Sequence, residues 1–374
     1  MIDVLTPPLN PKDIIGNKRA IRRQLISQNG LLEKRVALLG GSTIGEIKNI
    51  LELFLLGQGI RPVFYEGTYG SYFEELAFEN AALSAFKPDI IYIHTTNKNI
   101  AEYPAPGMSH DKREQLLEST MERWRQMWRA AGERYQCAII QNNFEMLPYR
   151  VMGNMDAVHL NGRLRFISDI NTAMYEYQSQ TPRFFINDIN YISASFGLDN
   201  WHDMKNWYLY KYALALDAIP LLCHNVASVI KAIYGKNKKA LVLDMDNTLW
   251  GGVIGDDGAQ NISLGAETPE GMAYADFQKY VKAVSKTGVL LGICSKNEEH
   301  NALDGLNHTS SVLKREDFVS FKANWEPKHI NIEQAAQELN IGVDSMVFAD
   351  DNPAERQIVR GFLPQVETVP LVTP

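Results

Sequence analysis

The sequence predicts an α/β protein of two domains, each a parallel sheet flanked by helices. Three observations carry that expectation. Short apolar runs alternate with longer segments whose apolar residues recur every three or four positions, the rhythm of strands joined through helices. The rhythm stops and restarts once, near residue 235. A length of 374 residues also exceeds what one hydrophobic core usually organises.

In the first domain, expected over 1–234, a helical arm precedes five runs: "RVALLGG" (35–41), "RPVFYEG" (61–67), "PDIIYIHTT" (88–96), "QCAIIQNN" (136–143) and "PRFFIND" (182–188). Helical period marks the segments between them, above all 44–59 and 114–135. A long helical passage, interrupted near Pro220, then leads to Gly235, followed by Lys236, Lys238 and Lys239. Glycine past the last helical turn is a stop signal, so the domain boundary is set there.

The second domain, expected over 235–374, begins with a strand at 240–244 and an irregular Gly-rich stretch. A helix follows at 270–286, then the strand "GVLLGICS" (288–295), a helix, and the segment "WEPKHINIEQAAQELN". The strand "SMVFADD" (345–351) and a last apolar run, "VETVPLV", complete it. In parallel sheets of this kind ligands bind beyond the carboxyl ends of the strands.

Composition narrows the function classes. With 45% hydrophobic and 22% charged residues the chain has material for packed cores. A net charge of -7 with dispersed lysines and arginines argues against nucleic acid as a primary partner. The start "MIDVLTPPLNPKD" lacks the basic-then-apolar pattern of a signal peptide, and no apolar run is expected to approach the ~18 residues of a membrane span. A cytoplasmic protein without a membrane partner is expected. Cys137, Cys223 and Cys294 are far apart and form no Cys-x-x-Cys pair, which indicates neither a disulfide framework nor a zinc site.

The chemistry gathers in the second half. Asp244 and Asp246 end one strand, Ser295 a second, Asp350 and Asp351 a third, and Lys328 opens a helix. Acidic side chains crowded on one edge resist ionisation unless a divalent cation and a lysine offset them. Phosphoryl transfer uses such a site, with one carboxylate attacking phosphorus and a second carboxyl handling the proton.

In order, "DMDNT", "ICSKN", "WEPKHINI" and "FADDNPAER" resemble the four motifs of the haloacid dehalogenase (HAD) superfamily. The resemblance implies Asp244 as nucleophile, Asp246 as acid/base, Ser295 as a phosphate contact and Lys328 as the balancing cation. It also implies Mg²⁺ held by Asp244, Asp350, Asp351 and the Asp246 carbonyl, with Asp351 ligating directly and Asp350 pairing with Lys328. Thr248, Lys296, Asn297 and Arg356 are the expected substrate contacts, and Trp250 and Trp325 the expected pocket walls. About 40 residues separate the first two motifs, room for a hairpin and one helix but not for a large cap.

Residues 239–374 look more narrowly like the FkbH-like branch, HAD subfamily IIIC. That resemblance implies transfer of a glyceryl unit from 1,3-bisphosphoglycerate to the thiol of an acyl carrier protein, with dephosphorylation. Cys294 is then either the thioester-forming residue or, by strand alternation, a buried core residue. The plainer alternative is a phosphatase acting on a small phosphorylated metabolite or sugar. Some relatives continue into an acyltransferase-like domain, whereas this sequence ends at Pro374, as a shorter member or a piece of a longer chain.

The first half resembles the SGNH/GDSL hydrolases, with Ser42 after the first strand and "GLDNWHD" placing Asp199 and His202 three apart. His202 would take the Ser42 proton, Asp199 would orient the imidazole, and Gly67 or Gly70 with Asn97 or Asn143 would donate to an oxyanion. "GGST" and "HTTNKN" depart from that family's blocks. The domain is therefore either an esterase or an inactive binding module.

Overall fold

The computed structural model describes residues 3–371. The chain divides into two compact units, Met1–Gly235 and Lys236–Pro374.

The first unit holds five strands: β1 (Leu32–Gly40), β2 (Ile60–Glu66), β3 (Ile90–His94), β4 (Ala138–Asn142) and β5 (Phe184–Asn187). All pair in parallel in the order β2-β1-β3-β4-β5, a flavodoxin-like winding. Every residue of β3 and β4 is buried, which is why these strands read as apolar runs up to the polar residues at their carboxyl ends, His94, Gln141 and Asn142. Side chains alternate between two cores. Leu38, Ile90, Tyr92 and Ile140 meet the helices Gly45–Gly57 and Ile219–Ile233 on one face. Leu39, Ile91, Ile93 and Ile139 meet the helices His110–Tyr135 and Arg163–Gln180 on the other.

The passage before residue 235 differs from the expected interrupted helix. It is a series of short helices, Ile189–Phe196, Leu198–Trp201 and Met204–Tyr210, ahead of Ile219–Ile233. Pro220 does not break that last helix. It lies in the first turn, where the missing N–H has no intrahelical acceptor to lose. The stretch Leu216–Ile233 is long and apolar enough to cross a membrane by length and composition. Its apolarity serves the core instead, for Ile219, Leu222, Val226 and Ile230 pack under the first sheet. Gly235, at φ 67°, follows the helix in the left-handed region that glycine enters without strain.

The second unit contains β6 (Ala240–Leu243), β7 (Leu290–Ser295), β8 (Ser320–Ala323), β9 (Met346–Asp350) and β10 (Glu367–Pro370). They pair in parallel in the order β10-β9-β6-β7-β8, so β6 is central and its neighbours β7 and β9 flank the residues that follow it. The sequence reading passes over β8. This edge strand is buried fully only at Ser320, and its Ser-Phe-Lys-Ala composition carries no apolar run. Between β6 and β7 stand the antiparallel bridge Gly251↔Ser263 and the helix Pro269–Ser285.

Candidate active site

The turn after β6 sends alternate residues in opposite directions. Met245 enters the core, fully buried, while Asp244 and Asp246 on either side face the carboxyl edge. Asn247 takes a left-handed φ of 53°, which turns the chain back toward Trp250.

Lys328 opens the helix Lys328–Glu338 behind Pro327 and is 3% exposed. Its ammonium lies 2.9 Å from Asp244 Oδ2 and 2.6 Å from Asp350 Oδ2. Burial works against the lysine's charge, but the two carboxylates outweigh it and hold its pKa up. The carboxylates experience the converse. Desolvation raises Asp244, Asp350 and Asp351 above the ordinary range against the pull of Lys328.

Oxygen atoms of Asp244, Asp350 and Asp351 lie within 4.8 Å of one another. Asp350 also accepts from the Asn352 N–H at 2.7 Å, whereas Asp244 Oδ1 is buried without a hydrogen-bond partner. A buried, unpartnered carboxylate oxygen beside two more carboxylates is an all-oxygen donor set suited to a hard divalent cation such as Mg²⁺. The Asp246 carboxylate stands apart from this group.

Asp246 is instead held by three donors. Oδ1 accepts from Trp250 Nε1 at 2.9 Å and the Ile254 N–H at 3.1 Å, and Oδ2 from Asn297 Nδ2 at 3.1 Å. Ser295 lies close enough to Asp244 to favour its charged form, and the Thr248 hydroxyl is buried with no partner.

Several expected substrate contacts and walls take other roles. Asn297 orients Asp246. The Arg356 guanidinium is spent on the carbonyls of Asp350 and Asp351, at 2.5 and 2.7 Å, so it braces the loop that carries them. Lys296 pairs with Glu355 at 2.7 Å. Trp250 is fully buried as a donor to Asp246, and a Cβ at Gly305 would strike its ring. Trp325 is exposed and donates to Glu298 at 2.8 Å. The sequence held one sign of the Trp250 role, its spacing four residues after Asp246.

Cys294 points away from the carboxylates. On β7 it alternates with Ser295 and joins Val242, Ile332 and Phe348 in the core, 1% exposed. Its thiol donates to the Lys328 carbonyl, and burial pushes its pKa up to about 12. This is the buried alternative of the two, because a protonated thiol in a packed core is a poor nucleophile.

The first unit does not assemble the relay expected of Ser42, His202 and Asp199. Ser42 Oγ is buried without a partner, Asp199 is exposed, and His202 Nε2 donates to the Met146 carbonyl at 3.2 Å. The expected oxyanion donors are engaged elsewhere. The Gly67 and Gly70 amides serve the Leu38 and Gly40 carbonyls, Asn143 binds Tyr175 and Asp188, and the Asn97 amide binds the Glu145 and Met146 carbonyls.

The family model for the FkbH N-terminal domain matches residues 36–231, more than half of the chain. The chain belongs to the FkbH N-terminal domain family. A likeness spanning both units of this FkbH-family chain is to the N-terminal part of the protein BF1531 from Bacteroides fragilis, whose crystal structure contains a phosphatase domain complexed with Mg. It shares 29% identity at a TM-score of 0.87, covering 95% of this chain and 94% of that one. The catalytic domain of a Streptococcus pneumoniae peptidoglycan O-acetyltransferase covers 55% of this chain and 97% of its own, at 14% identity. Its TM-score of 0.33 is too low to bear on either unit. No curated protein matches the chain.

Proposed function

We propose that the second unit performs magnesium-dependent phosphoryl chemistry of the HAD type on a phosphorylated small molecule. The observation that carries this reading is Asp244, with one oxygen on Lys328 and the other buried, free and grouped with Asp350 and Asp351. The Mg-bound phosphatase domain of the Bacteroides fragilis protein supports it.

Mg²⁺, held by Asp244, Asp350 and Asp351, would screen the phosphate charge from the attacking carboxylate. The chain supplies the rest. Asp244 attacks phosphorus while Asp246 gives its proton to the leaving oxygen, so the ester bond breaks and an aspartyl phosphate forms. Water then attacks the same phosphorus, Asp246 takes its proton, and phosphate leaves with Asp244 restored. Trp250 and Asn297 keep Asp246 aimed through both steps, and Ser295 and Thr248 offer hydroxyls to phosphoryl oxygens.

A second, narrower reading rests on the resemblance of residues 239–374 to the FkbH-like branch: loading of a glyceryl unit from 1,3-bisphosphoglycerate onto an acyl carrier protein thiol, with dephosphorylation. The buried Cys294 gives its thioester route no support, so a direct transfer to the carrier is the form retained. For the first unit, binding is favoured over ester cleavage, since Ser42, His202 and Asp199 form no relay.

Phosphate release from p-nitrophenyl phosphate, with intact-mass spectrometry of a holo carrier protein incubated with Mg²⁺ and 1,3-bisphosphoglycerate, tests both readings. Release that Asp244→Asn abolishes supports the phosphoryl chemistry, and a glyceryl adduct on the carrier supports the narrower reading. Release equal in Asp244→Asn and wild type would sink the assignment of Asp244.

A further inference from the structure

Four buried or half-buried polar side chains at the carboxyl edge of the first sheet form one connected group. Asn97 follows β3 and Glu145 follows β4, while Trp201 and His202 lie on the segment that continues to residue 211. The Asn97 backbone N–H donates to Glu145 Oε2 at 3.1 Å. Its side-chain amide donates to the Glu145 and Met146 carbonyls at 3.4 and 3.3 Å, and His202 Nε2 donates to that same Met146 carbonyl. The Trp201 indole N–H approaches the Glu145 carboxyl, favouring its charged form without closing a hydrogen bond.

Four atoms of this group remain unpartnered among the described residues: Asn97 Oδ1, Glu145 Oε1, Trp201 Nε1 and His202 Nδ1. Asn97, Glu145 and Trp201 are at most 2% exposed, so bulk water does not compensate them. The bonds already made define what is missing. Asn97 has committed its amide, so Oδ1 accepts. His202 donates through Nε2 to a carbonyl, so Nδ1 of the neutral ring accepts, and burial keeps that ring neutral by lowering its pKa. Trp201 can only donate. Glu145 Oε1 accepts when ionised and donates when protonated, and burial pushes its pKa up to about 7.

Two acceptors, one donor and one group that does either are complementary to hydroxyls, which both give and accept. An anion would meet the two acceptors unfavourably, and a cation the donor. The position is where doubly wound parallel sheets place ligands. The segment beside it is lightly held: the helix Met204–Tyr210 buries none of its residues. It is tied by Thr43, whose Oγ1 donates to the Tyr210 carbonyl at 2.6 Å and whose N–H donates to the Lys211 carbonyl at 3.0 Å, and by the Lys98 ammonium, 3.9 Å from Met204 Sδ and 5.3 Å from the Trp207 ring. Few contacts need to break for it to move.

We propose that Asn97, Glu145, Trp201 and His202 form a second ligand site, for a small neutral polyol. This assignment is independent of the phosphoryl chemistry of the second unit.

The test is a titration of the ¹⁵N-labelled full chain with glycerol, and with sodium acetate as the anionic comparator, read on the tryptophan indole resonances. The Trp201 signal is identified by its loss in Trp201→Phe. It shifts saturably with glycerol while the other indoles do not. Glu145→Leu, checked for folding by circular dichroism, weakens the apparent glycerol affinity at least about fivefold, the size of one lost hydrogen bond, and the exposed Glu118→Ala leaves it unchanged. Asn97→Ala, checked for folding by circular dichroism, gives a second loss of affinity. No saturable shift, or the same shift in both variants, means internal water only and overturns the proposal. A shift with acetate and none with glycerol overturns the ligand class.

Discussion

Lys328 Nζ lies 2.9 Å from Asp244 Oδ2, and that one contact joins the first turn of a helix to the end of the central strand of the second sheet. Removing the cation leaves Asp244 and Asp350 buried against each other. Lys328→Met is therefore expected to lower phosphate release at least about 100-fold. It is also expected to destabilise the second unit by about 3–5 kcal/mol in urea unfolding. Combining it with Asp350→Asn recovers part of the stability and none of the activity.

Trp250 contributes a hydrogen bond to Asp246 from inside the core. Trp250→Phe keeps most of the apolar volume and deletes the donor. The expected result is kcat lowered about tenfold with KM little changed, because the lost contact is to the group that moves the proton. Steady-state kinetics on p-nitrophenyl phosphate decide this.

Arg356 acts on the cation site through the backbone. With its guanidinium withdrawn from the Asp350 and Asp351 carbonyls, the two carboxylates lose their alignment. Arg356→Ala is expected to raise the Mg²⁺ concentration for half-maximal activity about 10- to 100-fold, measured by titration after chelation.

Cys294 stays protonated at neutral pH, since its pKa is pushed up to about 12 in the core. Iodoacetamide should leave it unmodified in folded protein, as mapped by peptide mass spectrometry. Cys294→Ala should keep phosphate release and cost about 1 kcal/mol in stability.

Glu145 links the stability of the first unit to pH. Burial lifts its pKa from 4.5 to about 7, so the folded chain holds this proton more tightly than the unfolded one. The associated stability is present in full below about pH 4.5 and is lost as pH rises through about 7, a change of about 3 kcal/mol. Glu145→Gln should flatten that fall in denaturant unfolding compared at pH 5 and pH 8.

The sequence by itself determined the parallel α/β pattern of both units apart from the edge strand β8, because buried strands such as β3 and β4 open with apolar runs, 90–93 and 138–140, that stand out between the helical segments. It also brought Asp244, Asp246, Ser295, Lys328, Asp350 and Asp351 to one edge, since each follows a strand or opens a helix at that end. Only the tertiary structure decided what their neighbours do. Arg356 and Asn297 look like substrate contacts in one dimension, yet their donors reach carbonyls and a carboxylate brought near only by folding. Cys294 and Ser295 are adjacent in sequence but face opposite sides of a strand, which separates a core thiol from a hydroxyl at the site. Glu145 carried no motif at all. Its character comes from burial against Asn97 and Trp201, a property of packing that no local pattern records.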